Sequence, residues 1–382
     1  MSSPIQRLAR AAAAVAAVGI AAGALVGCST ASAAPGEDAA SAAEPTGTQT
    51  FVDELGREVE IDLPVTAVYT DFQYQAEAVR LVGGGDKIVA HSDATDPANP
   101  LNANNQEYWA SFADAQSVGA YDEPNWETVV DSGAQVAFVM RNGPWEDAVE
   151  KLEPFGIDVF VVTGWDPTVL REFIPVLGEI LGTEDQAAEA AALYDDIDET
   201  LAAHTEGIPE GERKKVYFEG STEYSTVVPG SGFHDQIVDA GGENIFGDVN
   251  ITDDQSAKIH NYPVDPVEII ERNPDVIIQN TVGGLTAGIE PVDAQELQSA
   301  AAAIAKRGGW DQITAVQNDD IYVTSNFLWS TLGKKIGSVA LAKILYPEEF
   351  ADVDVDDYFG TWLELQGVEP RPAADYIVKY AG

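Results

Sequence analysis

The stretch PVEIIERNPDVII, at residues 266–278, decides the fold, because a short helical pattern runs there directly into a continuous apolar strand. A similar stretch, PNWETVV at residues 124–130, precedes the apolar run at 136–140. In both places a glutamate, Glu127 or Glu268, stands near the start of the helix. The interval from glutamate to strand differs by one residue, so the pattern indicates a duplication without proving it. Two similar α/β lobes would enclose a cleft, which is a common place for a ligand.

Further apolar runs rich in β-branched residues alternate with helical patterns along the chain. They predict strands at 67–69, 87–90, 136–140, 158–162, 215–218, 275–278 and 321–323. Such runs are typical of parallel strands that are covered on both faces. We therefore predict an α/β fold of two lobes with mainly parallel central sheets and a ligand cleft between them.

A long helical pattern separates the two groups of strands. Leu170, Leu177 and Leu181 recur at helical spacing, and TEDQ at residues 183–186 resembles a capping box that restarts the helix. The pattern predicts a long, rigid linking helix between the lobes. The expected boundaries are 49–166 for the N-terminal lobe, 167–207 for the linking helix and 208–382 for the C-terminal lobe with its final helices.

The N-terminus has the pattern of a cleavable export signal. Arg7 and Arg10 precede an apolar stretch at 11–26, which is short for a membrane span. The residues LVGC at 25–28 then resemble the lipobox of bacterial lipoproteins, in which signal cleavage leaves a lipidated cysteine at the new N-terminus. We expect residues 1–27 to be the signal, Cys28 the lipid anchor and residues 28–48 a flexible tether, because 29–48 hold few large apolar side chains.

The chain is strongly acidic, with 20 basic and 64 acidic residues and a net charge of -44. Nucleic acid is excluded as a general partner, since phosphate binding needs a basic surface. The acidic surface keeps the protein soluble or reflects a high-salt exterior, where screening weakens self-repulsion. The sequence leaves both readings open.

Over about residues 51–365 the chain resembles the substrate-binding lipoproteins of ABC importers, in the class that serves iron-siderophore, haem and vitamin B12 uptake. The order and spacing of several segments carry this resemblance: residues 51–59, 81–89, 118–127, 240–246, 264–278, 310–323 and 341–350. The resemblance implies a ligand held between two lobes and delivery to a membrane permease. It also implies that Glu127 and Glu268 pair with arginines of the permease. A simpler role, compatible with this one, is that each glutamate complements the positive end of a helix.

Ligand-binding residues are expected on loops that follow the carboxyl ends of strands. These loops are rich in aromatic side chains, which suit bulky amphipathic ligands. An arginine there could pair with a ligand carboxylate, or with one of the many acids of the chain. Loop aromatics could instead seal the edge of a core, and a histidine could ligate iron or be a plain polar residue. The expected ligand-binding residues are Phe72, Arg141, Trp145, Trp165, Tyr224, His234 and Trp329.

Together these features predict a monomeric, lipid-anchored substrate-binding protein on the extracytoplasmic face of the cell membrane. Its expected cargo is an iron chelate, and its expected partners are the transmembrane subunits of an ABC permease. Neither a resident cofactor, a metal site nor an enzymatic activity is expected. Haem or cobalamin binding is the alternative within the class. An exported hydrolase that uses acidic residues is the alternative outside it, and converging carboxylates with a raised pKa would favour that enzyme.

Overall fold

The computed structural model describes residues 46–220, 222–251, 258–280, 288–325, 327 and 331–382. The signal, Cys28 and most of the expected tether lie outside this range. The described chain starts with an antiparallel hairpin of β1 (Gly47–Val52) and β2 (Glu58–Leu63). Alternate residues of β2 are buried, so the hairpin lays one face on the body of the protein.

A five-stranded parallel sheet forms the N-terminal lobe, in the order β5-β4-β3-β6-β7. The predicted strands at 67–69, 87–90, 136–140 and 158–162 are confirmed. The strands are β3 (Val68–Thr70), β4 (Ile88–His91), β5 (Gln116–Ser117), β6 (Val136–Val139) and β7 (Asp158–Val161). The helices are α1 (Gln73–Leu81), α2 (Trp126–Asp131) and α3 (Trp145–Leu152).

A seven-stranded sheet forms the C-terminal lobe, in the order β11-β9-β8-β12-β13-β14, with β10 also paired to β8. The central strands β8, β12 and β13 are parallel, whereas β9, β11 and β14 are antiparallel additions. The strands are β8 (Lys215–Glu219), β9 (Ser225–Thr226), β10 (Glu243–Asn244), β11 (Tyr262–Pro263), β12 (Val276–Asn280), β13 (Ile321–Thr324) and β14 (Ile377–Lys379). The helices are α6 (Gly232–Asp239), α7 (Pro266–Arg272), α8 (Ala294–Ala305) and α9 (Thr314–Gln317).

The linking segment differs from the single long helix that we expected. It consists of two helices, α4 (Pro167–Leu181) and α5 (Glu184–Thr205), which fold back on each other. Arg171 near the start of α4 pairs with Asp195 in α5, and the bare Gly178 lies directly against Ala187. Gly182, at φ +63°, ends α4 in the left-handed conformation that lets the chain reverse. The break predicted near residue 183 is present, but Thr183 makes no capping hydrogen bond.

One apolar core runs through both lobes. Phe138 of the N-terminal sheet, Ile197 of α5 and Phe218 of the C-terminal sheet belong to the same buried cluster. The two last helices, α10 (Lys334–Leu345) and α11 (Val355–Leu365), complete this cluster. Each sheet has a second, separate core on its other face. Because the lobes share a core, the boundaries at 166 and 208 stay predictions.

Candidate ligand cleft

Three neighbouring strands of the N-terminal lobe end in loops that are tied together. The Asp71 carboxylate after β3 accepts a hydrogen bond from the Met140 backbone N–H after β6, at 2.8 Å. The Arg141 N–H donates in turn to Thr163 Oγ1 after β7, at 3.3 Å. The loops that carry Phe72, Arg141 and Trp165 therefore lie at one edge of the sheet, as expected for parallel strands.

A half-buried aromatic cluster occupies this edge. The ring of Phe72 lies 5.2 Å from that of Tyr74 and 4.8 Å from that of Tyr121. Gly164 fits closely against the same helix start, since a Cβ there would lie 2.8 Å from the Tyr74 carbonyl oxygen. The loop of Trp165 therefore packs beside the Phe72 cluster. Tyr74 and Tyr121 were missed by the sequence analysis, although both are aromatic residues close to strand ends.

The surroundings of Arg141 fit both roles considered for it, an ion pair with an acid of the chain and a contact with the ligand. Its Nη1 donates to Glu54 Oε1 at 2.8 Å, so the ion pair to a nearby acid exists. Its guanidinium carbon also lies 5.0 Å from the centroid of the Trp165 ring, within the range of a cation–π contact. The Arg141 side chain stays 38% exposed, which leaves donors available to a ligand.

Lys334, at the start of α10, brings the C-terminal lobe to Trp165. Its Nζ donates to the Trp165 carbonyl oxygen at 2.7 Å and lies 5.4 Å from the Trp165 ring and 5.7 Å from the Phe233 ring. The residue is only 6% exposed. Burial lowers the pKa of Lys334 to about 8, against the opposite effect of Asp166 and Asp235. Sequence reasoning missed it, and two adjacent lysines in so acidic a chain were the available signal.

His260, and not the expected His234, lies in this region. Its Nδ1 is 2.8 Å from Ser231 Oγ, and its ring meets that of Phe233 edge-on at 6.4 Å. Burial, together with the positive charge of Lys334, lowers the pKa of His260. The half-buried imidazole therefore favours its neutral form more than a free histidine does.

Three expected ligand residues have other surroundings. The imidazole of His234 lies 3.0 Å from the Asn244 amide, and burial lowers its pKa. Trp145 packs under Arg57 of the hairpin, and Tyr224 lies under Arg307. No hydrogen bond or ring contact within the described ranges joins any of the three to Trp165. Their ligand role stays a prediction, and Trp329 lies outside the described residues.

The two short helices α2 and α7 begin at the same edges as the strand-end loops. Asn125 caps α2 and Asp265 caps α7 with side-chain acceptors. Glu127 is exposed and forms no ion pair with any residue that the structure describes. Glu268 instead accepts from Arg272 Nη2 at 2.8 Å and from its Nε at 3.1 Å.

Aligning the two helices by their distance to the following strand gives a different match from aligning them by their glutamates. The intervals from Trp126 to β6 and from Pro266 to β12 are equal. The buried residue of each helix, Val129 or Ile269, also occupies the same helical position. Glu127 therefore corresponds to Val267, which is 58% exposed, and Glu268 lies one position further along.

Asp71 is the cleft-side carboxyl with the strongest burial effect. It is wholly buried, and burial raises its pKa to about 7 against the hydrogen bond from Met140. A carboxyl that solvent cannot reach suits a structural role better than acid–base chemistry. Within the described ranges, no group of three or more His, Cys, Asp or Glu side chains is arranged to hold a metal ion.

A separate groove of about 990 Å³ lies at the opposite edge of the C-terminal sheet. Asp275 before β12, Asp320 before β13 and Ile344 of α10 line it. None of the described residues that follow the carboxyl ends of the parallel strands lines this groove, so within the described chain it is separate from the candidate cleft. Among the described helices, none has both the length and the apolar character that crossing a membrane requires.

Comparison with known proteins agrees with this architecture. A curated relative from Bacillus subtilis, the uncharacterized ABC transporter substrate-binding lipoprotein YvrC, is 24% identical over 210 residues, which are 54% of this chain and 59% of the relative. The match thus spans well under two thirds of that relative.

Two solved structures share the fold at low identity. The TroA-like periplasmic binding protein FepB from Veillonella parvula has a TM-score of 0.68 and 19% identity, covering 87% of this chain and 99% of its own. The molybdate periplasmic binding protein MolA from Haemophilus influenzae has a TM-score of 0.64 and 17% identity, covering 85% and 99%. These likenesses show the two-lobed fold alone.

The periplasmic binding protein family model matches residues 70–326, from the end of β3 to just beyond β13. This range holds nearly all strands of both sheets and the linking helices between them. The resemblance drawn from the sequence is thereby confirmed, and the chain belongs to the periplasmic binding protein family.

Proposed function

We propose that this protein is the lipid-anchored, extracytoplasmic substrate-binding protein of an ABC importer and that its cargo is an iron chelate. Membership of the periplasmic binding protein family and the likeness to a substrate-binding lipoprotein support the importer role. The lipobox at Cys28 supports the anchor. The partners are then the permease subunits, with Glu127 and Glu268 on the docking side and no nucleic acid partner.

The observation that carries the choice of cargo is the pair of cations at Trp165. Arg141 and Lys334 both lie within cation–π range of this one indole. In a chain with 20 basic and 64 acidic residues, two cations beside one cleft residue favour a negatively charged ligand. The neighbouring rings of Phe72 and Tyr121 offer flat apolar area. A bulky anionic iron chelate has both properties.

Haem or cobalamin is the second candidate, and His260 favours it. Its Nδ1 is engaged by Ser231, while no described residue bonds its Nε2. A neutral imidazole with one free nitrogen can ligate iron or cobalt. A haem Soret band that shifts on binding, and that is lost in His260→Ala, would select this candidate.

The function is tested on protein purified from its own source. Native mass spectrometry should show a co-purified mass that matches an iron chelate, and titration with ferric chelates should quench tryptophan fluorescence. Cells that lack the protein should lose uptake of the same chelate and regain it with the parent gene. Unimpaired uptake in the deletion strain would reject the importer role.

The anchor is tested separately with Cys28→Ser. We expect this variant to fold and bind as the parent does, and to leave the membrane fraction, because no lipid can then be attached. Membrane fractionation with an antibody measures the outcome. If the variant stays on the membrane, Cys28 is not the anchor.

A further inference from the structure

Lys334 is a buried cation that forms no close ion pair with any residue that the structure describes, although Asp166 and Asp235 act on it at longer range. It is 6% exposed, and no described carboxylate lies within 4.0 Å of its Nζ. The next residue, Lys335, contrasts with it by pairing with Asp198 at 2.7 Å and Asp239 at 2.9 Å. The chain holds 64 acidic residues, so the absence of a described carboxylate within 4.0 Å of Lys334 is unusual.

This arrangement contributes little to the stability of the free protein. An ammonium group has three donors, and the Trp165 carbonyl oxygen is the one acceptor that the described residues supply to Lys334. Burial of a charge that is incompletely bonded is unfavourable. The fold therefore keeps a desolvated cation in place with donors to spare.

We propose that Lys334 binds an oxyanion of the ligand and thereby joins the two lobes through the cargo. Trp165 belongs to the N-terminal lobe, whereas Lys334 and Phe233 belong to the C-terminal lobe. An oxyanion at Nζ supplies a close counter-charge in addition to the more distant Asp166 and Asp235, and the rings of Trp165 and Phe233 contact the apolar part that carries it. The ligand class is a carboxylate or another oxyanion, either free or part of an iron chelate. This inference rests on the proposed function but commits to the charge of the cargo.

Several charged or titratable groups face Lys334 from the elements around it. Asp166 precedes α4, Asp235 lies on α6, and His260 lies in the segment before β11. Arg141 is on the same indole. The two acids raise the pKa of Lys334, but burial lowers it more, to about 8. Lys334 is therefore a cation at pH 7 and loses its charge above pH 8, so anion affinity should fall across that range.

The test compares Lys334→Met with the parent, with Lys335→Met as the matched control. Methionine keeps the apolar stem between the two rings and removes only the charge. Titrations at pH 7 use ferric citrate, molybdate and phosphate as anionic probes and a neutral ferric tris-hydroxamate as the uncharged probe. One or more of the anionic probes should bind to the parent. We expect Lys334→Met to lower the affinity for such a probe about tenfold or more. The neutral probe, and Lys335→Met with any probe, should stay within about twofold.

Thermal unfolding of the same variants separates a ligand role from a structural one. Lys334→Met should unfold at a higher temperature than the parent, because a desolvated charge is removed. Lys335→Met should unfold at a lower temperature, because two ion pairs are lost. Unchanged anion affinity in Lys334→Met, or no anionic probe bound by the parent, would overturn the proposal.

The outcomes also distinguish this inference from the proposed function. Binding of molybdate or phosphate that depends on Lys334, without binding of any iron chelate, supports the inference and rejects the iron cargo. If iron chelates bind equally well to the parent and to Lys334→Met, the proposal of an iron-chelate cargo stands and the role of Lys334 is rejected. Lys334→Arg keeps the charge and should recover most of the anion affinity.

Discussion

Single residues at the strand ends give the candidate cleft its charge and its aromatic character, and the sequence indicates the positions of some of them better than others. The places of Arg141 and Trp165 at strand ends were predictable, because Arg141 directly follows the apolar run at 136–140 and Trp165 lies three residues after the run at 158–162. Lys334 was not, since its burial depends on how α10 packs against a loop from the other lobe. His234 and His260 show the same limit: the packing of α6 against Asn244 sets the place of His234, and local sequence does not encode it.

Trp165 and Trp145 should behave differently when each is replaced by alanine. Trp165 contacts cations from both lobes, so Trp165→Ala should weaken ligand binding by about 1 kcal/mol or more. Trp145 packs under Arg57 on the hairpin, so Trp145→Ala should lower stability and weaken ligand binding less than Trp165→Ala does. Isothermal titration and thermal unfolding of both variants make the comparison. If Trp165→Ala and Trp145→Ala lost affinity equally, Trp145 would have a role in ligand binding that its contact with Arg57 does not explain.

Asp71 should make stability depend on pH. Its pKa is raised to about 7 from 3.8, so the folded state binds a proton more readily than the unfolded state. Its contribution is therefore complete below pH 3.8 and is lost as the pH rises through 7. Asp71→Asn mimics the protonated acid and should be more stable than the parent at pH 8, by on the order of 4 kcal/mol, but not at pH 4.

Denaturant unfolding at the two pH values measures this difference. Asp122→Asn, at an exposed position, is the control and should change stability little at either pH. A constant difference between Asp71→Asn and the parent from pH 4 to 8 would contradict the expectation.

At the scale of elements, the sequence predicts where a helix breaks better than where the chain then goes. The break after Leu181 was visible, but the reversal into a hairpin depends on Gly182 and on the contact of Gly178 with Ala187. Likewise, the repeat of α2 and α7 was visible as two glutamates. Only the structure shows that Glu127 matches Val267 in register.

The two glutamates that we propose for permease docking, Glu127 on α2 and Glu268 on α7, should therefore contribute unequally to uptake. Glu127 is exposed and without a described ion-pair partner, whereas Glu268 is 44% exposed and already paired with Arg272. A permease arginine would have to compete with Arg272 for Glu268 but not for Glu127. We expect Glu127→Lys to reduce uptake more than Glu268→Lys, and the double variant to reduce it most.

Uptake by cells that carry each variant, beside ligand titration in solution, measures this difference. Ligand affinity should stay within about twofold in all three variants, because the structure describes no hydrogen bond, ion pair or ring contact from either glutamate to Trp165 or Lys334. A stronger defect in Glu268→Lys than in Glu127→Lys would refute the asymmetry. A large loss of ligand affinity in these variants would contradict the proposal that the two glutamates serve permease docking.

At the scale of the whole molecule, the two lobes are joined by more than a linker. The shared core includes Ile197 of α5 together with side chains from both sheets. Polar contacts add to it: Arg371 pairs with Glu107 at 2.7 Å, and the Ile289 N–H donates to Asn105 Oδ1 at 2.9 Å. The sequence predicted two lobes from its two groups of strands. It could not predict that one core would serve both, because that depends on the hairpin of α4 and α5.

The two lobes should consequently unfold together. Trp126 reports on the N-terminal lobe and Trp310 on the second core of the C-terminal lobe. Fluorine-19 NMR of the protein labelled with fluorotryptophan should give the same melting temperature at both residues, in agreement with a single calorimetric peak. Ile197→Ala removes buried methyl groups from the shared core and should destabilise by about 2–4 kcal/mol. Ile197→Ala should lower equally the melting temperatures that Trp126 and Trp310 report. Val267→Ala, on the exposed face of α7, should change neither melting temperature. Two separate transitions, or a shift of only one signal in Ile197→Ala, would show that the lobes fold independently despite their common core.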